Sequence, residues 1–150
     1  MKDVCRESNE MSIITEHDVY LFKEGSHFEL YSKLGSHVDP FENGPRGTFF
    51  AVWAPNAVKV SVIGNFNEWD NGKDLLRLRN DGSGIWEIFI PGLGENCIYK
   101  YHIWSSYSGY EVDKSDPFAF YCQVPPATAY EKKKLDYQWQ DSEWMEKRKD

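Results

Sequence analysis

Apolar and polar side chains alternate with a period of two through most of the chain after residue 47. The clearest example is the series Val58, Val60 and Val62, which is interrupted by Lys59 and Ser61. Because successive side chains of a strand point to opposite faces, this alternation predicts strands with one buried face. Strands are expected in TFFAVWA, VKVSVIG, LLRLR, GIWEIFI, CIYKYHIW and GYEV.

Turn-forming segments separate the predicted strands. NDGSG, PGLGEN and SSYSG are rich in Gly, Asn, Asp and Ser, which favour tight turns. Short strands at this spacing predict an all-β fold, an immunoglobulin-like antiparallel β-sandwich. We expect its core to contain Trp53, Trp86, Tyr99 and Tyr101, with Glu87, Lys100 and His102 on the opposite strand faces.

The flanking segments follow a different pattern. Apolar residues at short helical spacings predict helices over 17–24 and 27–34, and Pro and Gly predict a loop over 36–47. VPPATAY is expected to be extended, and WQDSEWMEKRK can form a terminal helix whose Trp139 and Trp144 need a covering surface. The predicted division is a flexible leader (1–15), a helical segment and loop (16–47), the sandwich (48–122) and a connector (123–150).

Composition narrows the function. A net charge of −7 opposes binding to nucleic acid or anionic lipid, and the only basic run, Lys132 to Lys134, is flanked by acids. No apolar run approaches the roughly 18 residues that cross a membrane, and the first ten residues do not resemble a signal peptide. Three cysteines without CxxC spacing and four scattered histidines predict free thiols in a reducing cytoplasm, with no metal or other cofactor.

Catalytic chemistry has little support in the sequence. Asp70, Asp74 and Glu87 could approach one another on a sandwich, and paired carboxylates are what glycosidases use. No apolar context marks one of them as a general acid, however, and the chain has no GxSxG or phosphate-binding glycine loop. We therefore expect no catalytic residue in this chain.

The segment GNFNEWDNG places Trp69 in a run of turn formers at a predicted strand end. One interpretation is that the ring folds back over a hydrophobic edge. The other is that Trp69 is an exposed plate that stacks on the apolar face of a sugar, with Asn65 and Asn67 beside it to bond hydroxyl groups. The residue pattern alone leaves both interpretations open.

Longer motifs resemble a known family. TFFAVWAPNAVKVSVIGNFNEWDNG, GIWEIFIPGL, YKYHI and KSDPFAFY resemble the family-48 carbohydrate-binding module of 1,4-α-glucan (glycogen) branching enzymes, while HDVYLFKEGSHFELYSKLGSH, VPPATAY and WQDSEWMEKR resemble their leader and connector. The resemblance implies transfer of α-1,4 glucan segments to form α-1,6 branches in glycogen. It also implies that a (β/α)₈ barrel beyond Asp150 carries the catalytic carboxylates, so that this chain is expected to be an amino-terminal part of the enzyme.

The resemblance also implies site residues and partners. The Trp of the F-N-x-W motif is Trp69 and the Lys of Y-K-Y is Lys100, while a second aromatic residue of the family falls near Tyr110. With Asn67, these form the predicted carbohydrate site, whose partner is α-1,4-glucan or glycogen. The alternative is a structural module that packs on the catalytic barrel and binds little sugar itself.

Overall fold

The computed structural model describes residues 11–131 and 140–148. Within these residues, eight strands form two antiparallel sheets. The strands are β1 (Gly35–Val38), β2 (Gly47–Trp53), β3 (Ala57–Gly64), β4 (Arg77–Leu78), β5 (Ile85–Pro91), β6 (Ile98–Ser105), β7 (Glu111–Lys114) and β8 (Tyr130–Glu131). The helices are α1 (Glu16–Glu24), a 3₁₀ turn (Leu30–Ser32) and α2 (Ser142–Lys147).

The two sheets pack face to face around the main core. The first sheet has the order β1-β2-β5-β4, and the second has β3-β6-β7 with β8 paired to the start of β6. Inward-facing residues alternate along the strands of both sheets, as expected for a sandwich. They are Phe50, Val52, Val60, Val62, Leu76, Trp86, Ile88, Tyr99 and Tyr101. The predicted all-β sandwich is confirmed.

The outer face of the first sheet is covered by residues 11–34, which are called the leader from here on. Ile14, Val19 and Leu34 pack there against a second buried cluster of the sheet, which consists of Phe49, Ala51, Ile85 and Phe89. The predicted first helix is confirmed as α1, which begins with a capping box between Thr15 and Asp18 and ends at Gly25 with a φ of +73°. Both faces of β2 and β5 are therefore buried, and apart from Thr48 and Glu87 their buried side chains are apolar.

Two predictions for the helical segment and loop (16–47) are wrong. The helix expected over 27–34 is only the 3₁₀ turn Leu30–Ser32, since so short a run gains little helical stability of its own. The loop expected over 36–47 contains β1, which pairs with the edge of β2. Leu34 is buried in the second cluster directly before Gly35 turns the chain into β1. Packing and strand pairing therefore override the apparent helical spacing.

Three predictions for the sandwich are also wrong. LLRLR forms only the two-residue β4, because Leu75 bridges to Ser61 of the second sheet before the chain crosses to the first. Trp53 is 53% exposed at the end of β2, where its Nε1 donates to the Ser83 carbonyl. Glu87 is 1% exposed, because the leader covers the sheet face that the sequence suggested was open to solvent.

Beyond residue 123, the described residues contain β8 and α2. The predicted terminal helix is present as α2, with Trp144 58% exposed. Trp139 and Lys132 to Lys134 lie outside the described residues. The second sheet gains β8 from the predicted connector, just as the first gains β1 from the predicted helical segment.

Candidate functional site

The loop over residues 65–72 begins where β3 ends and presents Trp69. The Trp69 N–H donates to the Gly64 carbonyl over 2.9 Å, which folds the chain back toward the strand. Glu68 and Trp69 both have φ values near +61°, a left-handed conformation that costs a non-glycine residue about 1–2 kcal/mol. The ring is 43% exposed. The loop thus holds a large apolar ring partly in solvent through an unfavourable backbone conformation.

Asn67 belongs to this loop, and its side chain is buried. Its Oδ1 accepts from the Gly64 N–H over 2.9 Å, and its Nδ2 donates to the Val62 carbonyl at 2.9 Å and to the Asp74 carboxylate at 2.7 Å. The residue is 4% exposed. The sequence placed Asn67 among the groups that would bond sugar hydroxyls, but the structure engages its amide inside the loop. Asn67 therefore holds the loop that presents Trp69.

Lys100 lies on the outward face of β6, at the same end of the sheet as the loop. It is paired with Ile63, the neighbour of Gly64, and its neighbours Tyr99 and Tyr101 point into the core. Its Nζ donates to the Thr128 hydroxyl over 2.7 Å, and the side chain is half-buried. The structure therefore brings Lys100 and the Trp69 loop together at one end of β3.

Tyr110 lies at the opposite end of the second sheet. Its carbonyl accepts from the Ser105 N–H over 2.8 Å, and Ser105 is paired with Ala57 at the start of β3. The eight residues of β3 span about 23 Å, which separates Tyr110 from the Trp69 loop. With Trp53, Tyr110 lines a separate cavity of about 240 Å³. The structure does not bring Tyr110 into the predicted site.

The outward face of β6 continues beyond Lys100 to His102 and Trp104. His102 Nδ1 lies 2.6 Å from the Asp113 carboxylate, and its Nε2 lies 3.4 Å from Nδ2 of Asn71 in the Trp69 loop. The His102 and Trp104 rings meet edge to face at 4.3 Å, and Lys59 Nζ lies 4.1 Å from the Trp104 ring centre. The sequence pointed to His102 but missed Trp104, although the alternation in CIYKYHIW places it on the same face.

The three acidic residues considered for catalysis each bond to other groups of the protein. The Asp70 carboxylate accepts from the Gly72 N–H at 2.8 Å, and Asp74 bonds Asn67, so both support the Trp69 loop. Glu87 lies in the first sheet beneath the leader, 2.6 Å from Arg77 and 3.0 Å from Arg79. In the described part of the chain, no group of three or more His, Cys, Asp or Glu residues is arranged to hold a metal ion.

A larger cavity of about 520 Å³ lies between α1 and β4. Several of its charged groups bond to one another or to the backbone: Arg79 lies 2.6 Å from Asp81 and bonds Glu87, and Lys23 donates to the Asp81 carbonyl. Burial lowers the pKa of Arg79, but Asp81 and Glu87 outweigh it and raise that pKa. This cluster joins the leader to the sheet.

Among the helices that the structure describes, none is long and apolar enough to cross a membrane.

Comparison with solved structures recovers the same fold. The pullulanase from Bacillus acidopullulyticus superposes with a TM-score of 0.50 at 27% identity, covering 67% of this chain and 11% of that one. A pullulanase from Paenibacillus barengoltzii gives 0.53 at 22% identity, covering 71% of this chain and 16% of that one. The β-sandwich is therefore similar to a small part of these much longer enzymes.

Comparison of sequences gives higher identities. The 1,4-alpha-glucan branching enzyme GlgB of Aquifex aeolicus is 58% identical over 138 residues, covering 92% of this chain and 21% of that protein. GlgB of Albidiferax ferrireducens is 52% identical over 134 residues, covering 89% and 21%. The chain spans about a fifth of the length of these relatives. Residues 33–119, more than half of the chain, match the family Carbohydrate-binding module 48 (Isoamylase N-terminal domain), and the chain belongs to that family.

Proposed function

We propose that this chain is the glucan-binding accessory module of a 1,4-α-glucan branching enzyme. Its 58% and 52% identical relatives carry that enzyme name, and the chain corresponds to about a fifth of their length. The parent enzyme would transfer α-1,4 glucan segments to form α-1,6 branches, with the chemistry in a catalytic barrel outside these residues. The module would hold glycogen or a free α-1,4 chain near that barrel.

The exposed ring of Trp69 is the observation that carries this proposal. A sugar ring has an apolar face of C–H groups and a rim of hydroxyls, so it binds best to an aromatic plate with polar groups beside it. Trp69 is 43% exposed although a residue of its size gains free energy when it is buried. The buried amide of Asn67 holds the loop in this presentation. The loop thus keeps the Trp69 ring partly in solvent, although burial of the ring would be more favourable.

Polar groups suited to the hydroxyl rim lie on the outward face of β6, next to the loop that carries Trp69. Lys100 supplies an ammonium with three donors, one of which reaches Thr128. Asn71 and Asp113 flank His102 further along the face. Donors and acceptors therefore lie beside the plate, and the charge is mixed. A mixed face suits a neutral polyol better than it suits an anionic ligand.

Catalysis is proposed to lie outside this chain. Asp70, Asp74 and Glu87 each bond to other groups of the protein, and Glu87 lies in β5 whereas Asp70 and Asp74 lie in the segment between β3 and β4. Incubation of the chain with amylose, followed by iodine staining, tests this point. The colour should persist, and its loss through branch formation would contradict the proposal.

Affinity electrophoresis in gels containing glycogen tests glucan binding. We expect the parent chain to be retarded, and Trp69→Ala to migrate as it does without glycogen. Trp144→Ala is the matched control, since Trp144 is similarly exposed but lies on α2. This variant should be retarded like the parent. Unretarded parent protein, or equal retardation of parent and Trp69→Ala, would show that the proposal is wrong.

A second role, packing against the catalytic barrel, is favoured by exposed apolar side chains outside the Trp69 face. Phe28 is 89% exposed and Val124 is 83% exposed, although both are strongly apolar. The two roles use different surfaces and are compatible. If these side chains are normally covered, the chain by itself should self-associate in sedimentation experiments, and Phe28→Ser with Val124→Ser should reduce this. A parent chain that stays monomeric at high concentration would argue against a packing role.

A further inference from the structure

We propose that Trp104 is a second aromatic plate of the glucan-binding face, which extends the Trp69–Lys100 site so that it holds longer α-1,4 chains. This inference rests on the proposed function and adds a residue that determines chain-length preference. It also assigns to Trp104 the contribution that the sequence suggested for Tyr110.

Strand register places Trp104 on the same face as Lys100. Tyr99 and Tyr101 are buried in the core, so the alternating residues Lys100, His102 and Trp104 point outward. Trp104 lies four residues from Lys100, or about 13 Å along the strand. The line from Trp69 through Lys100 to Trp104 is therefore too long for one sugar ring and suits an oligosaccharide.

Side-chain contacts lead from the loop that carries Trp69 to the Trp104 ring. Asn71, in the loop that presents Trp69, approaches His102 at 3.4 Å, and the His102 ring meets Trp104 at 4.3 Å. Asp113 holds His102 from β7 through a 2.6 Å contact. Polar groups thus lie between the Trp69 loop and the Trp104 ring, where the hydroxyl rim of a bound chain would pass.

Trp104 is paired with Glu111 of β7 on one side and with Lys59 of β3 on the other, and the Lys59 side chain can move. Lys59 is paired with Trp104 in the register of β3 and β6, and its Nζ lies 4.1 Å from the ring centre. A cation over an exposed aromatic face is a weak interaction, which stacking of a sugar can replace. The Lys59 side chain is exposed and flexible, so the ammonium can swing to the ring edge and donate to a sugar hydroxyl. The half-buried Trp104 then offers its face to the ligand.

Tyr110 does not fulfil this role. It lines a separate cavity with Trp53 and with Ile103, whose side chain packs against the core on the face of β6 opposite to Trp104. A single chain that stacks on Trp69 and follows the outward face of β6 reaches Trp104 and does not reach that cavity.

Calorimetric titration of the full chain with maltotriose and maltoheptaose tests the inference. Trp104→Ala should bind maltoheptaose about tenfold more weakly than the parent, since a central aromatic contact is lost. Its affinity for maltotriose, which Trp69 and Lys100 can hold, should stay within about twofold. Trp104→Phe should restore most of the affinity for maltoheptaose because it keeps an aromatic face. Trp69→Ala should weaken binding of both sugars, and Trp144→Ala neither.

The outcomes separate the inference from the function on which it rests. If the parent binds maltoheptaose and Trp104→Ala binds it equally well, the inference is wrong while the proposed function stands. If the parent binds neither sugar, both are wrong. If Trp104→Ala does not fold, the inference is tested by NMR on the parent chain. The Trp104 indole N–H resonance should shift with maltoheptaose, and an unchanged resonance at saturation would overturn the inference.

Discussion

The Asn67 side chain accepts a 2.9 Å hydrogen bond from the backbone N–H of Gly64 and thereby closes the loop that presents Trp69. The same amide donates to the Val62 carbonyl and to the Asp74 carboxylate. The sequence suggested that Asn67 contacts sugar directly. In the structure, Asn67 instead stabilises the loop that carries Trp69. The exposed ring and the buried amide form one unit, in which Asn67 offsets part of the backbone cost at Glu68 and Trp69.

Asn67→Ala should destabilise the chain by about 2–3 kcal/mol, because it leaves buried polar groups without partners. The variant should also lose retardation in glycogen gels, since Trp69 is no longer held in its left-handed conformation. Urea unfolding measures the first effect and affinity electrophoresis the second. Asn71→Ala is the control for stability, because Asn71 is exposed, and it should cost less than about 0.5 kcal/mol. Equal stability of Asn67→Ala and Asn71→Ala would contradict the role assigned to Asn67.

Gly64→Ala should destabilise the chain by about 3 kcal/mol, because an added Cβ collides with the Ile98 carbonyl and the Phe66 ring. Gly94→Ala provides the comparison, since a Cβ there meets nothing within 4 Å and the backbone is not left-handed. That variant should be neutral or slightly stabilised. Thermal unfolding of the two variants checks the prediction, and similar melting temperatures would show that Gly64 is not sterically required.

Glu87→Gln should cost about 3 kcal/mol or more, because it leaves Arg77 and Arg79 beside a neutral group under the leader. The Ser12 hydroxyl also donates to Glu87, over 2.6 Å, so the variant should loosen the leader. Chemical unfolding measures the stability, and proteolysis of the leader measures its docking. Glu68→Gln interrupts the exposed pair with Lys73 and should cost less than about 1 kcal/mol. If both substitutions cost the same, the buried network has no special contribution.

Asp18 should make stability depend on pH in the acid range. Burial raises its pKa, but hydrogen bonds from Thr15, His27 and Lys33 outweigh this and hold the pKa well below its usual value. A carboxyl with a lowered folded-state pKa stabilises the protein above its unfolded pKa of about 3.9, and the effect disappears as pH falls through the folded-state pKa.

The difference in unfolding free energy between parent and Asp18→Asn should therefore be constant from pH 7 to about pH 5 and shrink below about pH 4. Urea titrations at a series of pH values give this difference. Asp116 has its pKa raised by burial, so its stabilising effect declines as pH rises through the raised pKa. That contribution is shared by both proteins and cancels. A difference that persists undiminished at the lowest pH would contradict the prediction.

The period-two alternation was sufficient to predict the main strands, since Val60 and Val62 must share one buried face in any sandwich. It failed where burial depends on a second layer. Glu87 reads as a solvent-facing residue of β5, but the leader covers that face and arginines neutralise the charge. Trp53 reads as core, but it lies at the strand end and is half in solvent. Local pattern does not report which face another segment will cover.

The site shows the same division. Alternation and the family resemblance predicted Trp69 and Lys100 as site residues, and alternation placed His102 on the outward face. The family resemblance suggested Tyr110 as a site residue, but Tyr110 lines a separate cavity at the other end of β3, and the aromatic residue that shares the outward face of β6 with Lys100 is Trp104. Which side chains share a face follows from local geometry, since neighbouring residues of a strand point oppositely. Which of them meet, and whether Asn67 faces sugar or protein, depends on strand pairing and loop closure between residues distant in the chain.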